Sequence, residues 1–395
     1  MLTVIGTLLG GLGLFLLAVA MITDGLKLAA GDALRDILAR STRTRWRGVA
    51  SGLLVTGLVQ SSSAVTVATI GFVNAGLLSI TQALGIVYGA NIGTTMTGWL
   101  VAAIGFNFKI EAIALPLIGL GMAARLLGKN TRIGAFGEAL AGFGLFFIGI
   151  DFLREAFEGV SASLQVTDLS AGSGRGILLY VSFGFFATLI TQSSSAAIAL
   201  TLTAASSGVL ALDAAAAMVI GANVGTTSTA ALSVIGATAN AKRVAAAHVM
   251  FNALTGVVAL ILLPALLAVV DLTATTFGLA AVPAVSLALF HSVFNILGVA
   301  IMWGLTDRLA LFLNARFVTL AETLSRPQFL DRSIAVTPSL AVDALVLELT
   351  RTAQFARQNA ADAVKGPAEN LSHDFEFRVQ AVSCLLYTSP SPRDS

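Results

Sequence analysis

The chain has 395 residues, of which 56% are hydrophobic and only 11% charged, and its net charge is +2. Soluble globular domains carry about 25% charged residues, so this composition excludes an ordinary soluble enzyme, and so small a net charge does not suggest a nucleic-acid partner. The single cysteine, Cys384, excludes an intrachain disulfide and a cysteine-rich transition-metal site.

Apolar stretches run at about 2–23, 48–74, 77–104, 110–128, 134–157, 176–206, 209–236, 244–270 and 279–304. A bilayer core takes about 20 helical residues, so the expectation is an all-α polytopic membrane protein. The first stretch is too long for a cleaved signal peptide and lacks a basic flank, so it reads as a retained span. After Trp303 the composition turns polar, with Asp307, Arg308, Arg316, Glu322, Arg326, Asp331 and Arg332 in close succession. Residues 305–383 are therefore expected outside the bilayer, with Leu340, Leu345 and Leu349 marking a helix that runs from near Pro338 to about Val364. The last residues, 384–395 (CLLYTSPSPRDS), match nothing before them and resemble a translated sequencing-adapter scar, so they are expected to be non-native.

The chain repeats itself. Gln60-Ser61-Ser62-Ser63-Ala64 returns as Gln192-Ser193-Ser194-Ser195-Ala196, 132 residues later. Gly89-Ala90-Asn91-Ile92-Gly93-Thr94-Thr95 returns at the same offset as Gly221-Ala222-Asn223-Val224-Gly225-Thr226-Thr227. Upstream, Gly11, Gly13, Leu14 and Phe15 match Gly142, Gly144, Leu145 and Phe146 one residue out of register. Two polar motifs at one offset define a duplication, with a first repeat over 1–133, a second over 134–241 and further membrane helices over 242–304.

Basic loops stay in the cytoplasm. The basic residues cluster at Lys27 to Arg47, Arg125 to Arg132, Lys242-Arg243 and Arg308 to Arg316, whereas 158–175 and the region of Asp271 are poor in them. If 48–74 and 176–206 enter and return on one side as re-entrant hairpins, every basic cluster falls inside. That leaves seven full spans, an N-terminus outside, a cytoplasmic C-terminal region and two halves of opposite orientation, an inverted repeat.

Residues 48–104 carry no Asp, Glu, Lys or Arg and 176–241 only Asp213, yet each copy holds a knot of neutral polar side chains. Serines favour helix N-caps, so a helix break is expected at each Gln-Ser-Ser-Ser, and broken backbone at membrane depth must be buried or line a cavity. Freed N–H groups and the hydroxyls of Ser61, Ser62, Ser63, Ser193, Ser194 and Ser195 suit a phosphate-like anion. Freed carbonyls, the amides of Gln60, Gln192, Asn91 and Asn223 and the hydroxyls of Thr94, Thr95, Thr226 and Thr227 suit a hard cation such as Na⁺. No buried arginine clamps the anion, so co-bound cations are the expected source of charge balance. Single serines in membrane helices commonly serve only interhelical packing, but a duplicated triplet after glutamine argues for a site.

Two further stretches, His248-Val249-Met250-Phe251-Asn252 and His291-Ser292-Val293-Phe294-Asn295, place His and Asn four apart on one helix face. They read first as hydrogen-bond pairs between packed helices and second as a polar bridge near the site. Asp213 reads as an ordinary helix-end charge. The chain has no Gly-x-Ser-x-Gly elbow, and no carboxylate is expected in the polar core to orient a histidine, so an enzyme is not expected.

At these residues the chain resembles the sodium/phosphate cotransporter family, the type II sodium-dependent phosphate transporters and their bacterial members. The paired Gln-Ser-Ser-Ser motifs are similar to the family's signature, and the Gly-Ala-Asn-x-Gly-Thr-Thr and His-x-x-Phe-Asn stretches resemble its pattern too. The resemblance covers about 1–305. It implies a sodium-coupled phosphate symporter in the inner (plasma) membrane that works by alternating access, with phosphate and Na⁺ between the repeats and no cofactor beyond the coupling ion. The segment from Phe329 to Val364 resembles the first helix of a PhoU-like cytoplasmic domain. A phosphate-responsive receptor acting through those helices is the alternative, and the sequence leaves room for a homodimer.

Overall fold

The computed structural model describes residues 2–31, 37, 44–74, 77–104, 110–163, 174–235, 237–279, 282–318, 329 and 338–365. Every regular element among them is helical. The segments 384–395, most of the basic run Arg35 to Arg43, and most of 319–337 lie outside the described residues. The chain divides at about residue 313 into two units.

In the first unit the helices are α1 (Leu2–Ala30), α2 (Arg45–Val59), α3 (Ser62–Asn74), α4 (Ile80–Gly93), α5 (Thr95–Ile104), α6 (Ile110–Leu127), α7 (Arg132–Ser163) and α8 (Gly174–Thr191). There follow α9 (Ser194–Ser206), α10 (Leu212–Gly225), α11 (Thr227–Ser233), α12 (Ala239–Ile261), α13 (Leu263–Thr276) and α14 (Pro283–Arg316). Among the described residues, six helical stretches are long and apolar enough to cross a membrane: 3–30, 132–161, 174–191, 212–233, 239–261 and 283–316. The set differs from the seven expected spans. The stretch 174–191, expected as one arm of a hairpin, is itself 18 residues of apolar helix, whereas the expected span 77–104 is split at Thr94 into α4 and α5. The expected span 209–236 is matched by 212–233 despite a one-residue interruption at Thr226, whereas 244–270 is split at Leu262. Chain composition reports apolar length and does not by itself locate these breaks; the one at Leu262 precedes Pro264 in the first turn of α13.

The duplication is visible in the packing. Helix α2 lies along α4 and helix α8 along α10. The two approaches use the same glycines: a Cβ on Gly89 would stand 2.0 Å from the Val49 carbonyl oxygen, and a Cβ on Gly221 1.9 Å from that of Val181. Only a residue without a Cβ lets the backbones come so close. Helix α1 packs along α7, and there the repeat-equivalent rings of Phe15 and Phe146 meet at 5.1 Å between centroids. Both phenylalanines are fully buried, in a core with Ile22, Leu153, Leu202, Phe290 and Phe294.

One end of this unit carries an aromatic and ionic clasp. Trp46 stacks on Trp303 at 4.1 Å, and Arg45 lies over the Trp303 ring, donates to its carbonyl oxygen at 3.3 Å and pairs with Asp307 at 2.5 Å. Tryptophans beside charges suit the rim of a bilayer.

The second unit contributes α15 (Pro338–Lys365), close to the expected helix. Its buried Glu348 and Arg351 pair through side chains, and Glu348 also accepts the backbone N–H of Phe329 at 3.0 Å.

Candidate functional site

Each Gln-Ser-Ser-Ser motif breaks a helix, as its composition requires. Helix α2 ends at Val59, and Gln60 turns into the left-handed region with φ 57° and ψ 26°. Its twin Gln192 has φ 52°. A non-glycine residue in this region costs about 1–2 kcal/mol, and such strain persists only where the surroundings enforce it. The enforcement is the same in both copies. The Gln60 amide donates to the Gly57 carbonyl and accepts from Thr97 Oγ1 at 2.9 Å. The Gln192 amide donates to the Leu189 carbonyl at 2.6 Å and accepts from Thr229 Oγ1 at 3.2 Å. Thr97 and Thr229 are themselves one repeat apart, although only the glutamines stood out in the sequence.

The serines then restart the helices. Ser61 Oγ accepts the N–H of Ala64 at 3.3 Å, and Ser193 Oγ accepts that of Ala196 at 3.2 Å. Ser62-Ser63 and Ser194-Ser195 occupy the first turns of α3 and α9, where backbone N–H groups lack helical partners and the helix dipole is positive.

The two tips meet. Gln60, Ser61, Ser62, Ser63, Gln192, Ser193, Ser194 and Ser195 line one cavity of about 230 Å³, together with Leu16, Val19, Ala20, Thr23 and Asp24 of α1. At about 30 Å³ per liquid water, that is room for a tetrahedral oxyanion with ions or waters beside it. The halves also touch directly: Thr97 Oγ1 lies 3.1 Å from Ser195 Oγ. Thr23 of α1 donates to the Val59 carbonyl at 2.9 Å, fixing α1 against the first tip. The tips are not equally enclosed, because Gln60 is buried and Gln192 exposed. A second cavity of about 900 Å³, mainly apolar and with Lys27 on its wall, shares Ser61 and Ser63 with the first.

The second pair of motifs sits elsewhere. Asn91, Thr94, Thr95, Asn223, Thr226 and Thr227 are not among the residues lining the 230 Å³ cavity. They build the breaks in the helices packed behind the tips. Thr94 Oγ1 donates to the Asn91 carbonyl at 2.6 Å and Thr226 Oγ1 to the Asn223 carbonyl at 2.5 Å. Thr95 and Thr227 bond the Ile92 and Val224 carbonyls at 2.8 and 2.7 Å. These bonds use the hydroxyl hydrogens and leave oxygen lone pairs free. Asn91 donates to the Val87 carbonyl at 2.9 Å, while Asn223 donates to Asn252 Oδ1 at 2.8 Å and its own Oδ1 lies 3.4 Å from His291 Nε2. His248 Nδ1 lies 3.5 Å from Thr66 Oγ1. The His-x-x-x-Asn pairs thus form buried hydrogen-bond bridges between helices, and both meet Asn223, one through Asn252 and the other through His291. Asp213 binds the N–H of Ala214 at 2.8 Å in the first turn of α10, an ordinary helix-start contact.

The expectation that no carboxylate reaches the polar core is corrected by Asp24, which lines the tip cavity. The first apolar stretch ends at about residue 23, but α1 continues to Ala30. Leu16, Ala20 and Asp24 are spaced by four, so a helical reading carried one turn further puts Asp24 on the cavity face.

A helical chain with six membrane-length helices, duplicated broken helices and a polar cavity where the breaks converge is a multi-pass membrane protein of the transporter class. The chain belongs to the Na⁺/Pi-cotransporter family, whose sequence profile matches residues 14–155 and 167–309. It is 31% identical over 338 residues to the "Putative inorganic phosphate export protein YjbB" of Escherichia coli K12, covering 85% of this chain and 60% of that one. It is 30% identical over 301 residues to the "Uncharacterized protein YqeW" of Bacillus subtilis 168, covering 74% of this chain and 92% of the other. Over 97 residues it is 37% identical to the rat sodium-dependent phosphate transport protein 2A, covering 24% of this chain and 15% of that one. The chain spans about 60% of the length of the YjbB relatives. No solved structure matches it.

Proposed function

We propose that this chain carries inorganic phosphate across the inner membrane by alternating access, coupled to Na⁺, with phosphate held between the two serine tips. The observation that carries the reading is the shared cavity, in which two copies of one motif present six serines and two helix starts to the same small volume. Helix N-termini and hydroxyls hold an oxyanion without a fixed cation, and a site that must also release its cargo gains from that.

In this reading α2–α3 and α8–α9 are re-entrant hairpins entering from opposite sides, and the two halves form an inverted repeat. The contact between equivalent Phe15 and Phe146 supports it, since like residues meet themselves near a pseudo-two-fold axis. So does the unequal exposure of Gln60 and Gln192, as expected for a transporter open to one side. The N-terminus lies outside and the C-terminal region in the cytoplasm. The cation ligands are Gln60 and Gln192 at the tips and the breaks at Asn91, Thr94, Thr95 and Asn223, Thr226, Thr227 behind them. The names of the YjbB relatives favour net movement outward, and those of the mammalian relatives favour sodium dependence.

Proteoliposomes with radiolabelled phosphate and Na⁺, K⁺ or H⁺ as the only gradient test the coupling. Uptake should follow the Na⁺ gradient alone. Equal uptake under all three gradients would contradict it.

A further inference from the structure

Among the described residues lining the tip cavity, Asp24 carries the only charge, and that charge is negative. The rest of the lining is neutral: helix starts and hydroxyls that suit an anion, the amides of Gln60 and Gln192, and the apolar side chains of Leu16, Val19 and Ala20. A bare carboxylate in the same cavity repels phosphate. The carboxylate is not locked in place, because the Asp24 side chain is 66% exposed and its ion pair with Lys27, three residues along α1, is a loose 3.8 Å. Lys27 itself lies on the wall of the larger cavity, the one that shares Ser61 and Ser63 with the tips. The Thr23–Val59 bond keeps this turn of α1 beside the first tip. Carboxylate, hydroxyl and amide oxygens together are the ligand set of a hard cation.

We propose that Asp24 is a cation ligand of the tip cavity, and that phosphate is admitted once a monovalent cation has replaced Lys27 as the partner of this carboxylate. The inference rests on the reading of the serine tips as the phosphate site, and it makes Na⁺ binding first a consequence of charge. With the cation absent, Asp24 opposes the anion. With it bound, the carboxylate's charge is cancelled and the cavity no longer repels the anion.

The test is equilibrium binding of radiolabelled phosphate to the purified full chain, with Na⁺ titrated against choline. Wild-type affinity should rise with Na⁺. Asp24→Asn is nearly isosteric at an exposed position, so it should fold normally. It should bind phosphate at least about fivefold more tightly than wild type without Na⁺ and show a flattened Na⁺ dependence, and Asp24→Glu should restore that dependence. Lys27→Gln should act oppositely, weakening Na⁺-free phosphate binding while lowering the Na⁺ needed for half-saturation. An Asp24→Asn chain with wild-type Na⁺ dependence, or two variants that shift in the same direction, overturns the proposal while leaving the tips as the phosphate site. A wild-type chain that binds no phosphate at any Na⁺ concentration overturns both.

Discussion

Thr97 Oγ1 lies 3.1 Å from Ser195 Oγ, so a hydroxyl behind the first tip touches the serine turn of the second. Thr97 also holds Gln60 at 2.9 Å and is 1% exposed. One buried side chain therefore ties the strained turn of one repeat to the ligand turn of the other. Removing a buried hydroxyl that serves two partners costs about 1–3 kcal/mol. Thr97→Val should weaken phosphate binding about tenfold or more, and Thr97→Ser should recover most of it. Radioligand binding on both variants checks this.

The strained glutamines separate backbone from side chain. Gln192→Gly relieves the left-handed turn, which contributes about 1 kcal/mol in favour of folding, but it deletes the amide that Thr229 and the Leu189 carbonyl hold. The variant should melt no lower than wild type and yet lose most transport. Thermal unfolding followed by size-exclusion chromatography, alongside proteoliposome uptake, measures both halves of the statement.

Close helix approach sets a stability prediction. Gly89→Ala and Gly221→Ala each drive a methyl into a backbone carbonyl about 2 Å away. Neither helix backbone can yield without unpacking its tip, so each should cost more than about 3 kcal/mol. Gly57, on α2 with nothing within 4 Å of its would-be Cβ, is the control. Gly57→Ala should be neutral or stabilising by about 0.5–1 kcal/mol. Melting temperatures of the three variants decide the point.

The proposed orientation has its own test. In a Cys384→Ser background, Lys129→Cys and Lys242→Cys should react with a membrane-impermeant maleimide only after the cell is opened. Phe277→Cys, at the far end of α13 and well exposed, should react in intact cells. The reverse pattern would turn the topology over.

Much of the site was legible because polarity inside apolar sequence is expensive, so Gln-Ser-Ser-Ser repeated at a fixed offset had to mark broken backbone. The capping roles of Ser61 and Ser193 followed from the same chemistry. What stayed hidden was three-dimensional. Thr97 and Thr229 look like any threonine in a membrane helix until the turn they hold is seen. At the breaks at Thr94 and Thr226 the hydroxyls bond carbonyls three residues back, a feature that leaves no trace in hydropathy. Asp24 was hidden by bounding a helix where its apolar run ended, although α1 keeps its helical period through the charged turn.

The central claim is that the two serine tips form one site. Phosphate binding to Ser62→Ala and Ser194→Ala, each checked for a wild-type melting profile, tests it most directly. Both variants should lose at least about tenfold in affinity, because each removes a hydroxyl from the same cavity. If either variant binds phosphate as wild type does while the other is silent, the tips do not act together and the account fails.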